Sequence, residues 1–189
     1  MKRLFFTLSI PFVLFSCQNN EAEKAKYEQA LIAQSDSLTT VAQQTIMKNL
    51  TEAIQEKGLE YAIDFCNVEA VPLTNSAVEH IHASIKRISE KNRNPDNALK
   101  TQTDKDIFEH FKKFENAKDT LISESKQYVY YKRINLAMPT CMKCHGKPES
   151  IEPNVLAKID GHYPDDKAKN YNLNELRGLW KVTYDKNNQ

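Results

Sequence analysis

The stretch PTCMKCHGKPE, residues 139–149, decides how the rest of the chain is read. Cys141 and Cys144 are three residues apart, so on one helical turn their thiols face the same way, and His145 follows at once. Cys-x-x-Cys-His is the attachment motif of c-type haem. The two thiols can add to the two vinyl groups of one porphyrin, and the next imidazole turns to the iron as proximal ligand. A thioredoxin-like Cys-x-x-Cys belongs between the strand and helix of a βαβ unit, an alternation this sequence does not show. A zinc ribbon needs a second Cys/His pair at knuckle spacing; His80 and His82 are only two apart and lie far upstream.

Covalent haem attachment requires export, and the N-terminus supplies an independent signal for it. MKRLFFTLSIPFVLFSC places Lys2 and Arg3 before an apolar run from Leu4 to Phe15, too short to span a bilayer. Leu14-Phe15-Ser16-Cys17 is similar to the lipobox of bacterial lipoproteins, which predicts a cleaved signal peptide over residues 1–16 and lipidation of Cys17. Residues 17–24 then read as the lipidated N-terminus and a polar tether. Two acyl signals hold a protein stably at a membrane surface where one is marginal. The expected location is the periplasmic or cell-surface face of a bacterial membrane.

Residues 25–189 suffice for a single domain with its own core. The full chain is 40% hydrophobic and 27% charged, an ordinary globular balance. Removing residues 1–16 leaves 24 basic against 25 acidic residues, so no basic excess points to nucleic acid.

Three of the four cysteines are thereby given roles, and Cys66, in GLEYAIDFCNVEAVP (58–72), is left over. A lone thiol in an oxidising compartment is paired, shielded or used. A buried free thiol acting as a small hydrophobe is one reading, and ligation of the iron is another.

Periodicity predicts a helix over 25–57, with Leu31, Leu38, Ala42, Ile46, Leu50 and Ile54 on one face and Gly58 as its C-terminal cap. A second helix is expected from Leu59 to about Val71, shortened by Pro72. On it Ala62, Cys66 and Ala70 share a face, so small residues flanking the thiol let a large flat ligand approach the backbone. Residues 78–89 alternate as a strand, Asp104 to Phe114 carries a helical apolar stripe, 128–137 is β-prone, Asn154 to Ile159 suits a short helix, and 176–184 reads as a closing strand. The fold class is α+β: a long N-terminal helix and further helices packed on a small antiparallel sheet.

Four stretches carry a family resemblance: YAIDFCNVEAVPLT (61–74), IKRISEKNRNPDNA (85–98), CMKCHG (141–146) and YPDDKAKNYNLNELRGLWKV (163–182). In this order they resemble the periplasmic c-type haem domains with a PAS-like fold, found as stand-alone cytochromes and as sensor-attached modules. The resemblance implies one covalent haem c held between His145 and Cys66, with Cys66 as distal thiolate ligand. Asn174-Glu175 stands where the family commonly has Gly-Asp, and a changed loop is expected there.

Other ligands compete from the residues alone. Met47 and Met138 suit a His/Met cytochrome, and His80, His82, His110 and His162 a bis-His one. Arg87, Arg93 and Arg177 are candidates for the haem propionates, because guanidinium matches carboxylate bidentately. Trp180, Tyr130, Tyr131 and Phe111 are expected in the core or the haem pocket. The functional expectation is a lipid-anchored haem protein, a redox or small-ligand sensor acting on a separate signalling or redox partner and open to a gaseous ligand. The alternative is a periplasmic electron-transfer cytochrome. No acid–base pair beside an open iron site suggests an enzyme.

Overall fold

A computed structural model of the chain describes the backbone of residues 15–188 and the side chains of residues 20–187. The side chains of residues 1–16, where a signal peptide is expected, and of Cys17 lie outside the described residues. Among the described residues no helix is long and apolar enough to cross a membrane.

Helix α1, Phe15–Ser76, is two helices joined at Gly58, whose φ of 84° and ψ of 178° interrupt the helical backbone. That conformation is open essentially to glycine alone, which is why the expected cap became a sharp joint. The helix begins well before Ala25, so the residues read as a polar tether are helical. Its second part runs past Pro72 to Ser76, where Thr74 donates to the carbonyl of Ala70 at 2.6 Å.

The remaining elements are β1 (Ala83–Ile88), α2 (Gln102–Lys113), β2 (Asp119–Ser123), β3 (Gln127–Asn135), α3 (Met142–His145), α4 (Pro153–His162) and β4 (Leu176–Asp185). The strands form one antiparallel sheet in the order β1-β4-β3-β2. The expected strand over 78–89 is shorter at its start, because residues 77–80 make a hydrogen-bonded turn that brings the chain out of α1. β2, a short edge strand, carried too few residues to stand out by pattern.

Each sheet face buries a different partner, as alternating side chains require. On one face Ile85, Tyr128, Tyr130, Trp180, Val182 and Tyr184 pack against Leu31, Ala42 and Ile46 of α1. On the other, Ile88, Val129, Tyr131 and Leu179 pack against Phe108 and Phe111 of α2. The four aromatics singled out in the sequence are core residues, all nearly or completely buried. On the α2 face, Lys181 reaches Asp104 at 2.7 Å and Tyr131 donates to the same carboxylate oxygen at 2.9 Å. Asp104 also completes the capping box of α2 with Thr101. Burial alone would raise the Asp104 pKa, but the bonds from Lys181, Tyr131 and Thr101 outweigh it and hold it below the usual carboxylate range.

The second part of α1 packs separately, on α4. Ile63 lies among Ile151, Val155 and Ile159, with Leu59 and Cys144 at the edge of the cluster. A polar row runs beside it: Asn154 bonds Glu60 at 2.5 Å, while Lys158 and His162 both reach Asp64, at 3.0 and 2.5 Å. This row fixes the helix that carries Cys66 against the element that follows the Cys-x-x-Cys-His turn.

Candidate functional site

The parts of the chain far apart in sequence meet around a cavity of about 240 Å³. Its wall contains Cys66, Cys141, Cys144 and His145, together with Arg87, Arg93 and Arg177. All seven site candidates of the folded region therefore face one space. Ile46, Leu50 and Ile54 line it from the first part of α1, and Ala62 and Ala70 from the second. Part of the apolar stripe read as core thus surfaces an internal cavity. Ala62, Cys66 and Ala70 line the cavity together, as their shared helix face requires.

The Cys-x-x-Cys-His segment forms the short helix α3, and its setting is built by residues 163–172. Asn170 donates to the carbonyl of Gly146 at 2.9 Å and Tyr171 to that of His145 at 3.0 Å. Asn170 takes a φ of 61° to do so, a left-handed position that asparagine tolerates better than most residues. Gly146 is required where it stands: a Cβ there would come within 2.5 Å of the Met142 carbonyl oxygen.

His145 is the most informative side chain. Its Nδ1 lies 2.7 Å from the carbonyl oxygen of Ala168, so Nδ1 carries the proton and donates, and Nε2 keeps its lone pair. Burial pushes the imidazole pKa well below its ordinary value; the positive charges of Arg177, Arg93 and Arg87 add to the effect and the Ala168 bond opposes it. A neutral imidazole with one nitrogen tied to a backbone carbonyl is the usual arrangement of a metal-ligating histidine.

The three arginines divide into different roles. Arg93 donates to the Cys144 carbonyl at 2.6 Å and pairs with both carboxylate oxygens of Asp166 at 3.2 Å. Asp166 is 1% exposed and also accepts the Ala168 N–H at 2.9 Å. Arg93 therefore clasps the 163–172 segment to α3 and sets the carbonyl that orients His145. Arg177 donates to Ser89 Oγ at 2.9 Å and to the Lys91 carbonyl at 3.0 Å, with its guanidinium 5.5 Å from the Tyr171 ring. Arg87 lies against the Trp180 ring at 5.9 Å and makes no hydrogen bond among the described residues.

Cys66, Cys141 and Cys144 are all free thiols. Burial raises the Cys66 pKa despite the opposing charges of Arg87 and Arg93, and lifts Cys144 to about 11. Among the described residues no three His, Cys, Asp or Glu side chains converge to hold a metal ion unaided. The sulfurs and the imidazole face a shared volume, and the wall carries three guanidinium groups but no carboxylate. Such a set suits a large apolar guest bearing negative charge and anchored through sulfur.

Of the competing ligands, Met47 and Met138 also line the cavity, whereas His80, His82, His110 and His162 do not. Sequence reasoning missed Tyr163, Asp166 and Ala168. Asp166 sits in the Asp-Asp-Lys run at 165–167, whose charges mark no buried role, and a carbonyl acceptor such as Ala168 leaves no mark in a sequence. At Asn174-Glu175, Asn174 adopts a φ of 65°, the conformation glycine would favour, and Glu175 accepts the Asn172 N–H at 2.8 Å.

Comparison with curated proteins gives no match. Among solved structures the fold is similar to the crystal structure of the cyanobacterial heme-protein Tll0287, with a TM-score of 0.59 and 21% identity over 80% of this chain and 96% of that one. The model of the Tll0287-like family matches residues 18–184, which spans all four stretches of the sequence resemblance and every wall of the cavity. The chain belongs to the Tll0287-like family.

Proposed function

We propose that the chain is a c-type haem protein with a PAS-like domain, anchored by lipid at Cys17 to the outer face of a bacterial membrane, and that it serves as a redox or small-ligand sensing module. The observation that carries the haem reading is His145, neutral and tied through Nδ1 to Ala168, beside two thiols at attachment spacing on a cavity wall without carboxylates. The likeness to a protein described as a heme-protein supports it. Bound haem would supply an iron that changes oxidation state and exchanges an axial ligand.

In this reading Cys141 and Cys144 would hold one porphyrin by thioethers, and His145 Nε2 and the Cys66 thiolate would be the ligands offered to its iron. A thiolate donates strongly and favours ferric iron, which predicts a low potential. Cys66 would then be a conditional ligand, held as the thiolate and released on protonation. Gly58 gives its helix a joint, and the row from Asp64 to Lys158 and His162 holds that helix in place. Arg93 is occupied with Asp166, which leaves Arg177 and Arg87 for carboxylates of the guest. A conditional ligand suits a switch that signals to a separate partner.

The second reading, an electron-transfer cytochrome, is favoured by Met47 and Met138 lining the same cavity. EPR of the exported ferric holoprotein beside Cys66→Ala separates the two. A low-spin thiolate signal that disappears in the variant supports the sensing module. A His/Met signal that survives the substitution refutes the role of Cys66 and leaves electron transfer.

A further inference from the structure

The N-terminal end of α1 stands clear of the domain it leads into. Every residue from Asn20 to Tyr27 is exposed, and the helix meets the sheet at Tyr27, whose ring lies 5.6 Å from that of Tyr128 on β3. Leu31, 5% exposed, is the first buried residue along it. The ion pair before that point, Lys24 to Glu28 at 3.8 Å, stays within the helix.

This end reads EAEKAK at 21–26, and all three residue types are strong helix formers. Segments of Glu, Ala and Lys act as semi-rigid helical spacers. A free peptide this short would not hold a helix, because nucleation is costly. Here the nucleus already exists: Leu31, Ala42 and Ile46 pack the same helix on the sheet, so residues 18–26 only extend it. Ala22 and Ala25 are the only apolar residues of 20–26, too little to lay a face into lipid. Glu21, Glu23 and Glu28 stand against Lys24 and Lys26, so no basic excess draws the helix to anionic headgroups. A helix polar on every side bridges solvent.

The cavity lies far along the same axis. The first part of α1 lines its wall from Gln43 to Ile54. At 1.5 Å per residue those positions are about 40–55 Å from Cys17. Resting on the lipid-anchor reading above, we infer that residues 18–26 are a rigid stalk that carries the cavity clear of the bilayer, and that the chain's partner is a protein presenting its own reactive centre in the water beyond the headgroups. A carrier dissolved in the lipid, such as a quinone, does not reach the cavity. Electron exchange falls steeply with separation, and this gap exceeds the hydrocarbon thickness of a whole bilayer, about 30 Å. Tilting of the stalk on its acyl chains leaves the axial distance unchanged, and its composition gives it no hold on the membrane surface.

The test uses the full lipidated holoprotein in vesicles of phosphatidylethanolamine and phosphatidylglycerol, with the mass of the N-terminal peptide reporting acylation at Cys17. Nitroxide-bearing amino acids replace the exposed Asn20 and Lys48, and double electron–electron resonance reads the distance between them. Unbroken helix gives a narrow distribution centred at about 42 Å. Ala22→Gly with Ala25→Gly should broaden it and leave covalent haem content and melting temperature unchanged. A wild-type distribution as broad as the variant's overturns the stalk. Under argon, the reduced holoprotein is then offered a long-chain quinone confined to the vesicles, or a short-chain quinone with the same ring in water. The first should oxidise it no faster than vesicles without quinone, and the second should oxidise it readily. Equal rates with both overturn the inference about the partner. Resistance to both assigns the barrier to the cavity and not to the stalk, and overturns it too. An unmodified Cys17 peptide overturns the lipid-anchor reading together with this one, whereas acylated protein that reacts with the bilayer quinone overturns this inference alone. Protein without covalent haem overturns the haem reading, and the distance measurement still decides the stalk.

Discussion

Replacing Arg93 with alanine tests whether the cavity wall depends on the clasp between Arg93 and Asp166. The wild-type side chains are 13% and 1% exposed, with the guanidinium bonding both carboxylate oxygens at 3.2 Å and the Cys144 carbonyl at 2.6 Å. The substitution leaves the Asp166 carboxylate buried with only the Ala168 N–H at 2.9 Å and the Lys169 ammonium at 3.8 Å. Breaking a buried pair by removing one partner costs about 3–5 kcal/mol, because the remaining charge stays desolvated. For a chain of this size each kcal/mol corresponds to roughly 2–4 °C, so the melting temperature should fall by about 6–20 °C. Thermal and urea unfolding of the holoprotein measure the loss. The double variant Arg93→Met with Asp166→Leu removes both charges and should recover much of it, since a buried ion pair replaced by apolar groups is often near neutral in stability. The clasp also reaches His145 through Ala168, so on the proposed haem reading Arg93→Ala should broaden or shift the signals of the His145 ligand. A loss below about 1 kcal/mol, the size of a solvent-screened surface pair, with an unchanged spectrum would refute it.

Asp104→Asn should destabilise the protein at neutral pH by leaving Lys181 buried without its anion, and urea unfolding across pH carries a signed check. The native Asp104 pKa lies below its unfolded value, so its contribution is complete above the unfolded pKa and fades as pH falls through the native one. The gap between wild type and Asp104→Asn should therefore hold steady down to about pH 4 and shrink below it; a gap independent of pH in that range would show that the charge is not what stabilises. Gly146→Ala drives a Cβ to within 2.5 Å of the Met142 carbonyl oxygen, so α3 must shift and, on the proposed haem reading, covalent haem content read by the pyridine haemochrome should fall. Gly58→Ala meets no neighbour within 4 Å but takes a backbone conformation alanine rarely adopts, and should cost about 1–3 kcal/mol in thermal unfolding through strain alone.

Local features were legible in the sequence because they rest on local physics. The Cys141-x-x-Cys144-His145 spacing and the shared face of Ala62, Cys66 and Ala70 follow from helix geometry, while Gly58, read as a C-terminal cap, marks the right position but joins two helical parts instead of ending the helix. The apolar stripe of α1 was equally visible, but whether Leu50 and Ile54 would meet a packed core or a cavity depended on what lay across from them. Tertiary structure alone decided the partners. Arg87, Arg93 and Arg177 are chemically identical, and only the fold gives Arg93 to an aspartate 73 residues away, Arg177 to a serine hydroxyl 88 residues away, and Arg87 to the face of the Trp180 ring. The same holds for the Ala168 carbonyl, which selects the His145 tautomer from 23 residues downstream. Residue type sets what a side chain can bind, while the packing of distant elements sets which partner arrives and which donors are left for a guest.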